Sequence, residues 1–184
     1  MALAAGEIRE LLQLEPHPTC GFVREAYRSS HRIPASALPG GYDGDRAQAS
    51  VLWFLVTADA RMGLHRIRPD QMYQHYLGDP LEVLLLPPGG GGEVATVGSD
   101  LAAGMRPQLL IPGGTWHVSR LRPGGSHALL ATTEWPGVEP QDVELATPAI
   151  SPPAIRTWPR RSRTSRAPTR PTRCGPGRRA ASQP

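Results

Sequence analysis

Short apolar and alternating segments follow one another from residue 50 onward, and turns rich in glycine and proline separate them. Their spacing of about 8–12 residues is typical of an all-β sandwich or barrel. The pattern predicts strands near 50–57, 62–67, 72–77, 81–86, 93–97, 108–111, 115–121 and 127–133. The glycine run at 87–92 is predicted to be a loop, since polyglycine weakens a strand interior. Residues 15–49 are predicted to be turn-rich, because prolines recur along them.

The first residues show the periodicity of a helix rather than of a strand. Ile8, Leu11 and Leu12 share one helical face. Residues 1–14 are therefore predicted to form a short amphipathic helix. The helix is expected to end at Pro16, because proline cannot continue a helix interior.

Charged side chains near the N-terminus argue against a secretory signal. Glu7, Arg9 and Glu10 fall where the apolar region of a signal peptide would lie. We find no run of about 18 apolar residues, so we expect no membrane span. Cys20 and Cys174 lie at opposite ends of the chain, and we expect neither a disulfide framework nor a cysteine metal site. These features predict a cytoplasmic protein with reduced thiols.

Composition divides the chain near residue 147. Residues 1–146 hold 11 arginines and 16 acids, whereas residues 147–184 hold nine arginines, eight prolines and no acid. We therefore predict one domain over 1–146 and a disordered tail over 147–184, since the tail has too few apolar residues to offset the entropy of ordering. We interpret the tail as a fortuitous extension. The alternative is a basic arm that associates with nucleic acid or another anionic surface.

Two motifs, at residues 63–78 and 112–117, lie about 50 residues apart and together resemble those of the cupin superfamily. The first has a glycine, a histidine, an acid position and a second glycine, which here are Gly63, His65, Gln71 and Gly78. The second is Pro-x-Gly-x-x-His, which here is Pro112, Gly114 and His117. The run Pro16-His17-Pro18 and the segment 22–29 are similar to a small cupin branch that resembles the nucleotide-sugar epimerase barrel. The resemblance covers about 12–146 and implies a double-stranded β-helix, the cupin jelly-roll barrel, with a short N-terminal helix.

The resemblance also implies where a metal would bind. Cupins that hold a metal use two histidines and a glutamate of the first motif and one histidine of the second. Ile67 stands in place of the second histidine and Gln71 in place of the glutamate. We therefore expect no cofactor, with His65 and His117 as hydrogen-bonded groups of a polar pocket. The alternative is a divalent Fe, Mn, Ni or Zn ion held by His65, Gln71 and His117.

Alternating side chains on the strand after the first motif suggest a pocket wall. Gln71, Tyr73 and His75 fall on one face of that strand and are predicted to face the two motif histidines. The candidate catalytic residues are His65, Tyr73, His75 and His117. The candidate binding residues are Gln71, Asp70, Gln108 and Trp116. A turn role is the competing interpretation of Asp70, and Trp116 is expected to point away from His117 if its strand is regular.

The leading functional hypothesis is a small-molecule-binding cupin, isomerase-like or epimerase-like, that acts on a sugar-like or other polar ligand. The alternatives are a metal-dependent oxygenase-type cupin and a non-enzymatic binding protein with a nucleic-acid-associating tail. The sequence leaves open whether the chain is an enzyme. We also expect a homodimer, because an isolated barrel has open sheet edges to bury.

Overall fold

The computed structural model describes residues 3–60 and 62–147. From residue 148 onward, the predicted disordered tail and its possible role as a basic arm lie outside the described residues, as does Cys174. The described residues cover nearly all of the predicted barrel domain.

Strands dominate the described residues, and one α-helix, α1 (Ala5–Leu12), precedes them. The strands are β1 (Glu15–His17), β2 (Gly21–Arg28), β3 (Arg32–Ile33), β4 (Arg46–Ala47), β5 (Ser50–Thr57), β6 (His65–Ile67), β7 (Asp70–Gly78), β8 (Leu81–Leu86), β9 (Glu93–Val97), β10 (Gln108–Ile111), β11 (Trp116–Leu121), β12 (His127–Trp135) and β13 (Val143–Leu145). Short 3-10 turns lie at Ala35–Ala37 and Pro140–Asp142. Within these described ranges, no helix is long and apolar enough to cross a membrane.

Two antiparallel sheets enclose the core. The strand order is β1-β2-β5-β12-β7-β10 in the first and β13-β6-β11-β8-β9 in the second, while β3 and β4 form a separate pair. Side chains from both sheets meet between them, with Phe54, Tyr73 and Leu130 from the first against Val83 and Leu85 from the second. This is the all-β barrel that the sequence predicts.

The outer face of the six-stranded sheet carries the N-terminal helix. Ile8 of α1 and the following Leu14 are buried against Leu55 of β5 and Leu129 of β12. Successive strand residues point to opposite faces, so Leu55 and Leu129 face the helix while their neighbours face the core. The helix therefore covers one part of this sheet face.

The helix differs from its prediction at two points. It ends at Leu12, before Pro16, because Gln13 adopts the left-handed conformation (φ 53°) and its N–H donates to the carbonyls of Arg9 and Glu10. Leu11 is 68% exposed, so it does not share the buried face with Ile8 as predicted.

The prediction of a turn-rich segment over 15–49 is wrong for a substantial part of it. β2 spans eight residues and pairs with β5, and β1 extends the sheet beyond it. The alternation of β2 is interrupted between Glu25 and Tyr27, where the pairing register with β5 shifts. A bulge of this kind places an extra residue in one strand, which hides the period of two that identifies a strand in sequence.

Candidate functional site

One cavity of about 420 Å³ lies between the two sheets, bounded by β5, β7 and β12 on one side and by β6 and β13 on the other. Its polar lining consists of His17, Thr19, Cys20, Arg28, His65, Gln71, Tyr73, Thr132, Glu134 and Glu139. Its apolar lining consists of Pro18, Val23, Leu52, Phe54, Ile67, Val138, Pro140, Val143 and Leu145. Ten of these residues carry polar groups, but most of the lining surface is apolar. Apolar walls with placed polar groups are the usual form of a small-molecule site.

His117 lies next to the cavity-lining Gln71, and its hydrogen bonds hold its neutral ring in one tautomer. Its Nδ1 lies 3.1 Å from the carbonyl oxygen of Thr115, to which it donates. Its Nε2 therefore accepts from the Gln71 amide nitrogen at 3.1 Å, and the Gln71 oxygen accepts from the Thr132 hydroxyl at 3.2 Å. Burial lowers the pKa of His117 well below its ordinary value, in agreement with a neutral ring.

His65 is the second buried imidazole and lines the cavity itself. Its ring centroid lies 4.2 Å from that of His117, and its Nδ1 donates to the carbonyl oxygen of Gly63 at 2.8 Å. Burial lowers the pKa of His65. Within the described residues, nothing hydrogen-bonds to its Nε2, so a neutral His65 offers the cavity a hydrogen-bond acceptor.

Glu134 on β12 is a buried carboxyl group in the cavity wall. It is only 5% exposed, and its one hydrogen bond in the described part of the chain is accepted from the Ser50 hydroxyl. Burial raises the pKa of Glu134 to about 7, although the Ser50 hydrogen bond and the charge of Arg28 act against that rise. A carboxyl group tuned to this range can both give and take a proton near neutral pH.

The end of β1 and the turn that follows it add three polar side chains to the cavity lining. The Thr19 hydroxyl lies 3.0 Å from His17 Nδ1 and 3.2 Å from the Cys20 sulfur. Burial raises the pKa of Cys20 to about 11, so its thiol stays protonated and is a poor nucleophile. This turn therefore contributes hydrogen-bonding groups rather than a reactive thiolate.

Arg28 approaches the cavity from β2, but its guanidinium is already engaged. It forms salt bridges with Glu25 at 2.7 Å and with Glu139 at 3.2 Å. It also donates to the carbonyl oxygen of Val138 at 3.1 Å. The arginine thus anchors the loop that forms one rim of the cavity.

Comparison with known proteins identifies the family. The profile of the cupin superfamily (DUF985) matches residues 7–146, which is most of the chain. The chain belongs to this family. The predicted cupin jelly-roll fold is thereby confirmed. No curated protein matches this cupin.

Two solved structures resemble this cupin over most of their own length, and a third matches over about a third of its length. A hypothetical protein from Leishmania major shares 24% identity with a TM-score of 0.73, covering 85% of this chain and 93% of that one. A protein from Shewanella oneidensis shares 31% identity with a TM-score of 0.69, covering 79% of this chain and 86% of that one. Oxalate decarboxylase from Bacillus subtilis matches more loosely, at 14% identity and a TM-score of 0.48, covering 76% of this chain and 32% of that one.

The side chains of this cupin do not fit a bound metal ion. Ile67 replaces one imidazole, and the amide nitrogen of Gln71 donates into the His117 Nε2 lone pair that a metal would need. Across residues 3–60 and 62–147, no group of three or more His, Cys, Asp or Glu side chains could hold a metal. We therefore derive no metal-dependent chemistry for this site.

Of the candidate residues, the structure brings His65, Gln71, Tyr73 and His117 together at the cavity. His75 is not among the residues that line it, and its Nε2 lies 3.2 Å from the carbonyl oxygen of Asp79. A strand rises about 3.3 Å per residue, so His75 lies roughly 13 Å along β7 from Gln71. Of the three side chains in the predicted row, only Gln71 and Tyr73 therefore line the cavity.

The remaining candidate residues lie away from the cavity. Asp70 accepts from the Gly113 N–H at 2.7 Å and holds the loop of the second motif, which is the turn role. Gln108 is exposed at the start of β10. Trp116 stacks beneath the guanidinium of Arg66 at 4.8 Å, while the next residue, His117, points inward as the alternation predicts.

Three charged residues of the site are not among the candidates predicted from the sequence: Arg28, Glu134 and Glu139. The predicted strand 127–133 stopped one residue short of Glu134. Alternation along β12 could have found it, because Leu130 and Thr132 are buried on the inward face and Glu134 continues that face.

Proposed function

We propose that this cupin binds a small molecule in the cavity and moves a proton to or from it, as isomerases and epimerases do. The observation that carries the proposal is the placement of Glu134 and His65. They face one cavity from different sheets, Glu134 on β12 and His65 on β6. A ligand between them would contact a carboxyl group on one side and an imidazole acceptor on the other.

The chemistry follows from the protonation states of these two groups. Glu134, with a pKa raised to about 7 by burial, is present in both forms near neutral pH and can take a proton from a bound ligand. His65 accepts a hydrogen bond from the ligand at Nε2 and orients it. Tyr73 lines the same cavity, and because burial raises its pKa well above 10, its phenol remains a neutral group there.

His117 is proposed to act through its neighbours rather than on the ligand. Its ring lies 4.2 Å from that of His65, and its hydrogen bond with Gln71 fixes the amide in the cavity wall. We therefore describe His117 and Gln71 as positioning residues.

The test combines a ligand screen with hydrogen exchange. Small metabolites, including sugars and hydroxy-carbonyl compounds, are screened by melting shift, and each compound that binds is incubated with the protein in D2O. The parent protein is expected to introduce deuterium into the ligand, and Glu134→Gln is expected to slow this exchange by about 100-fold or more, as loss of a general base does.

The matched control is Glu144→Gln, which removes a carboxyl group that pairs with Arg66 outside the cavity. It is expected to exchange at the parent rate. Exchange by Glu134→Gln at that same rate, with the ligand still bound, would refute the role of Glu134 in proton transfer.

A further inference from the structure

We infer that the cavity takes an uncharged ligand with a mostly apolar body and a hydroxyl-type donor at one end, rather than a sugar or a phosphorylated molecule. The inference rests on the proposed function only in assuming that the cavity is the ligand site. Three features of the lining support it: its apolar walls, the pairing of its arginine, and the hydrogen-bonding state of its polar end.

Apolar side chains form most of the surface that a ligand in the cavity would contact. Leu52 and Phe54 of β5 line the cavity from one sheet, and Ile67 of β6 with Val143 and Leu145 of β13 line it from the other. A hydroxyl group placed against such side chains loses its bonds to water without replacement, which is costly. A sugar carries hydroxyl groups around its whole ring, so several would be stranded here, whereas an apolar ring or chain would not be.

The charges near the cavity disfavour an anion. Arg28 is the cation of the lining, and its guanidinium is occupied by Glu25, Glu139 and the Val138 carbonyl. Glu139 and the ionised fraction of Glu134 line the same cavity and would repel a phosphate. A phosphate would have to displace Glu139 from Arg28 before it gained a cationic partner.

At the polar end of the cavity, His65 offers an acceptor that a hydrogen-bond donor of the ligand would satisfy. His65 donates through Nδ1 to Gly63, so its Nε2 is left as an acceptor. Gln71 cannot serve as that donor to His65, because its amide nitrogen is directed to His117 and its oxygen accepts from Thr132. A ligand hydroxyl on His65 Nε2 would complete this set of hydrogen bonds.

Four matched compounds test the inference on the intact parent protein: p-cresol, its methyl ether 4-methylanisole, p-tolyl phosphate and glucose. Dissociation constants are measured by calorimetry, and the His65 ring nitrogens are followed by 15N NMR. We expect p-cresol to bind about tenfold more tightly than 4-methylanisole, which lacks the donor, because one neutral hydrogen bond is worth about that much. p-Tolyl phosphate and glucose are expected to bind more weakly still, and p-cresol to shift the His65 Nε2 resonance.

Two variants separate the arguments. His65→Leu should abolish the preference for p-cresol over 4-methylanisole, and Glu139→Gln should strengthen binding of p-tolyl phosphate several-fold by freeing Arg28. If His65→Leu does not fold, the affinities of the four compounds for the parent protein still test the inference.

The inference is overturned if p-tolyl phosphate or glucose binds the parent as tightly as p-cresol, or if none of the four compounds binds at about 10 mM, a very weak affinity. If p-cresol binds as expected but Glu134→Gln still exchanges deuterium at the parent rate, the proton-transfer function fails and the ligand class stands.

Discussion

The side chain of Gln71 determines what the two motif histidines can do. As a neutral amide, it accepts from Thr132 and donates to His117, so both of its ends are used within the protein. A carboxylate at this position could not donate to His117, and the Nε2 lone pair would be available to a metal. The amide of Gln71 thus favours a hydrogen-bonded pocket, and Ile67 removes a second ligand that a metal site of this kind would use.

We predict that restoring the missing ligands creates metal affinity. The parent protein should retain far less than stoichiometric Fe, Mn, Ni or Zn after dialysis, whereas the double variant Ile67→His with Gln71→Glu should bind Mn²⁺ or Zn²⁺ at least about tenfold more tightly. Elemental analysis and calorimetry measure this. Gln74→Glu, which places the same charge on β7 at a residue that contacts Thr133 instead, is the control. Near-stoichiometric metal in the dialysed parent would contradict the prediction.

Burial of Glu134 makes the stability of the fold depend on pH. Its pKa is raised from 4.5 to about 7 mainly by burial, which corresponds to about 3 kcal/mol. A raised carboxyl pKa means that the folded state binds more protons than the unfolded state, so the stabilisation is complete below about pH 4.5 and is lost as pH rises through about 7.

We therefore predict that Glu134→Gln and the parent protein have similar free energies of unfolding near pH 4.5, and that the variant becomes the more stable of the two by up to about 3 kcal/mol above pH 7. The amide oxygen of the variant can still accept from Ser50. Urea unfolding across this pH range measures the difference between the two proteins. A constant difference at every pH would show that Glu134 titrates normally in the folded state.

At the scale of elements, strands with uninterrupted apolar patterns could be predicted and irregular ones could not. β5, β8, β9 and β10 have the predicted bounds, because each carries a continuous or alternating apolar pattern bounded by turn residues. β2 was missed because its register shift and its exposed charged residues hide the alternation. β13 was missed because three residues are too few to show a period.

The same reasoning explains which parts of the site could be predicted. His65, Gln71 and His117 belong to motifs with fixed spacing, so a single sequence identifies them. Arg28 and Glu139 meet only after folding, 111 positions apart, and no local pattern links them. His75 was misplaced because alternation predicts the face of a strand but not the distance along it.

Gly78 ends β7 and offers a test of strand geometry. Its φ is +88°, and a Cβ there would overlap the carbonyl oxygen of His127, whereas Gly104 has a φ of +76° with open space around it. We predict that Gly78→Ala lowers the free energy of unfolding by more than Gly104→Ala does. The excess should be about 1–3 kcal/mol, because only Gly78 adds a steric clash to the unfavourable φ. Denaturant unfolding of both variants measures it. Equal losses of unfolding free energy in the two variants would show that β7 and β12 can move apart around the added methyl group without destabilising the fold.

At the scale of the whole molecule, the six-stranded sheet is covered unevenly. α1 packs over Leu55 and Leu129, while several large apolar side chains elsewhere on the outer face remain exposed. Tyr76 is 54% exposed, Leu110 is 47% exposed and Trp135 is 38% exposed, and Tyr76 packs edge-on against Trp53 at 5.0 Å. Exposed apolar side chains that lie on one sheet face are typical of a protein–protein contact surface.

We predict that this face pairs with its counterpart in a homodimer, since a twofold interface brings the same patch of both copies together and would bury these apolar side chains. Sedimentation at micromolar concentration should give a dimer for the parent protein. Leu110→Glu should shift the equilibrium toward monomer, because it would bury a carboxylate without a partner in the contact. Leu101→Glu, at a leucine that is 67% exposed in the turn before β10, should leave the dimer intact. A monomeric parent protein, or equal effects of the two variants, would exclude this face as the interface.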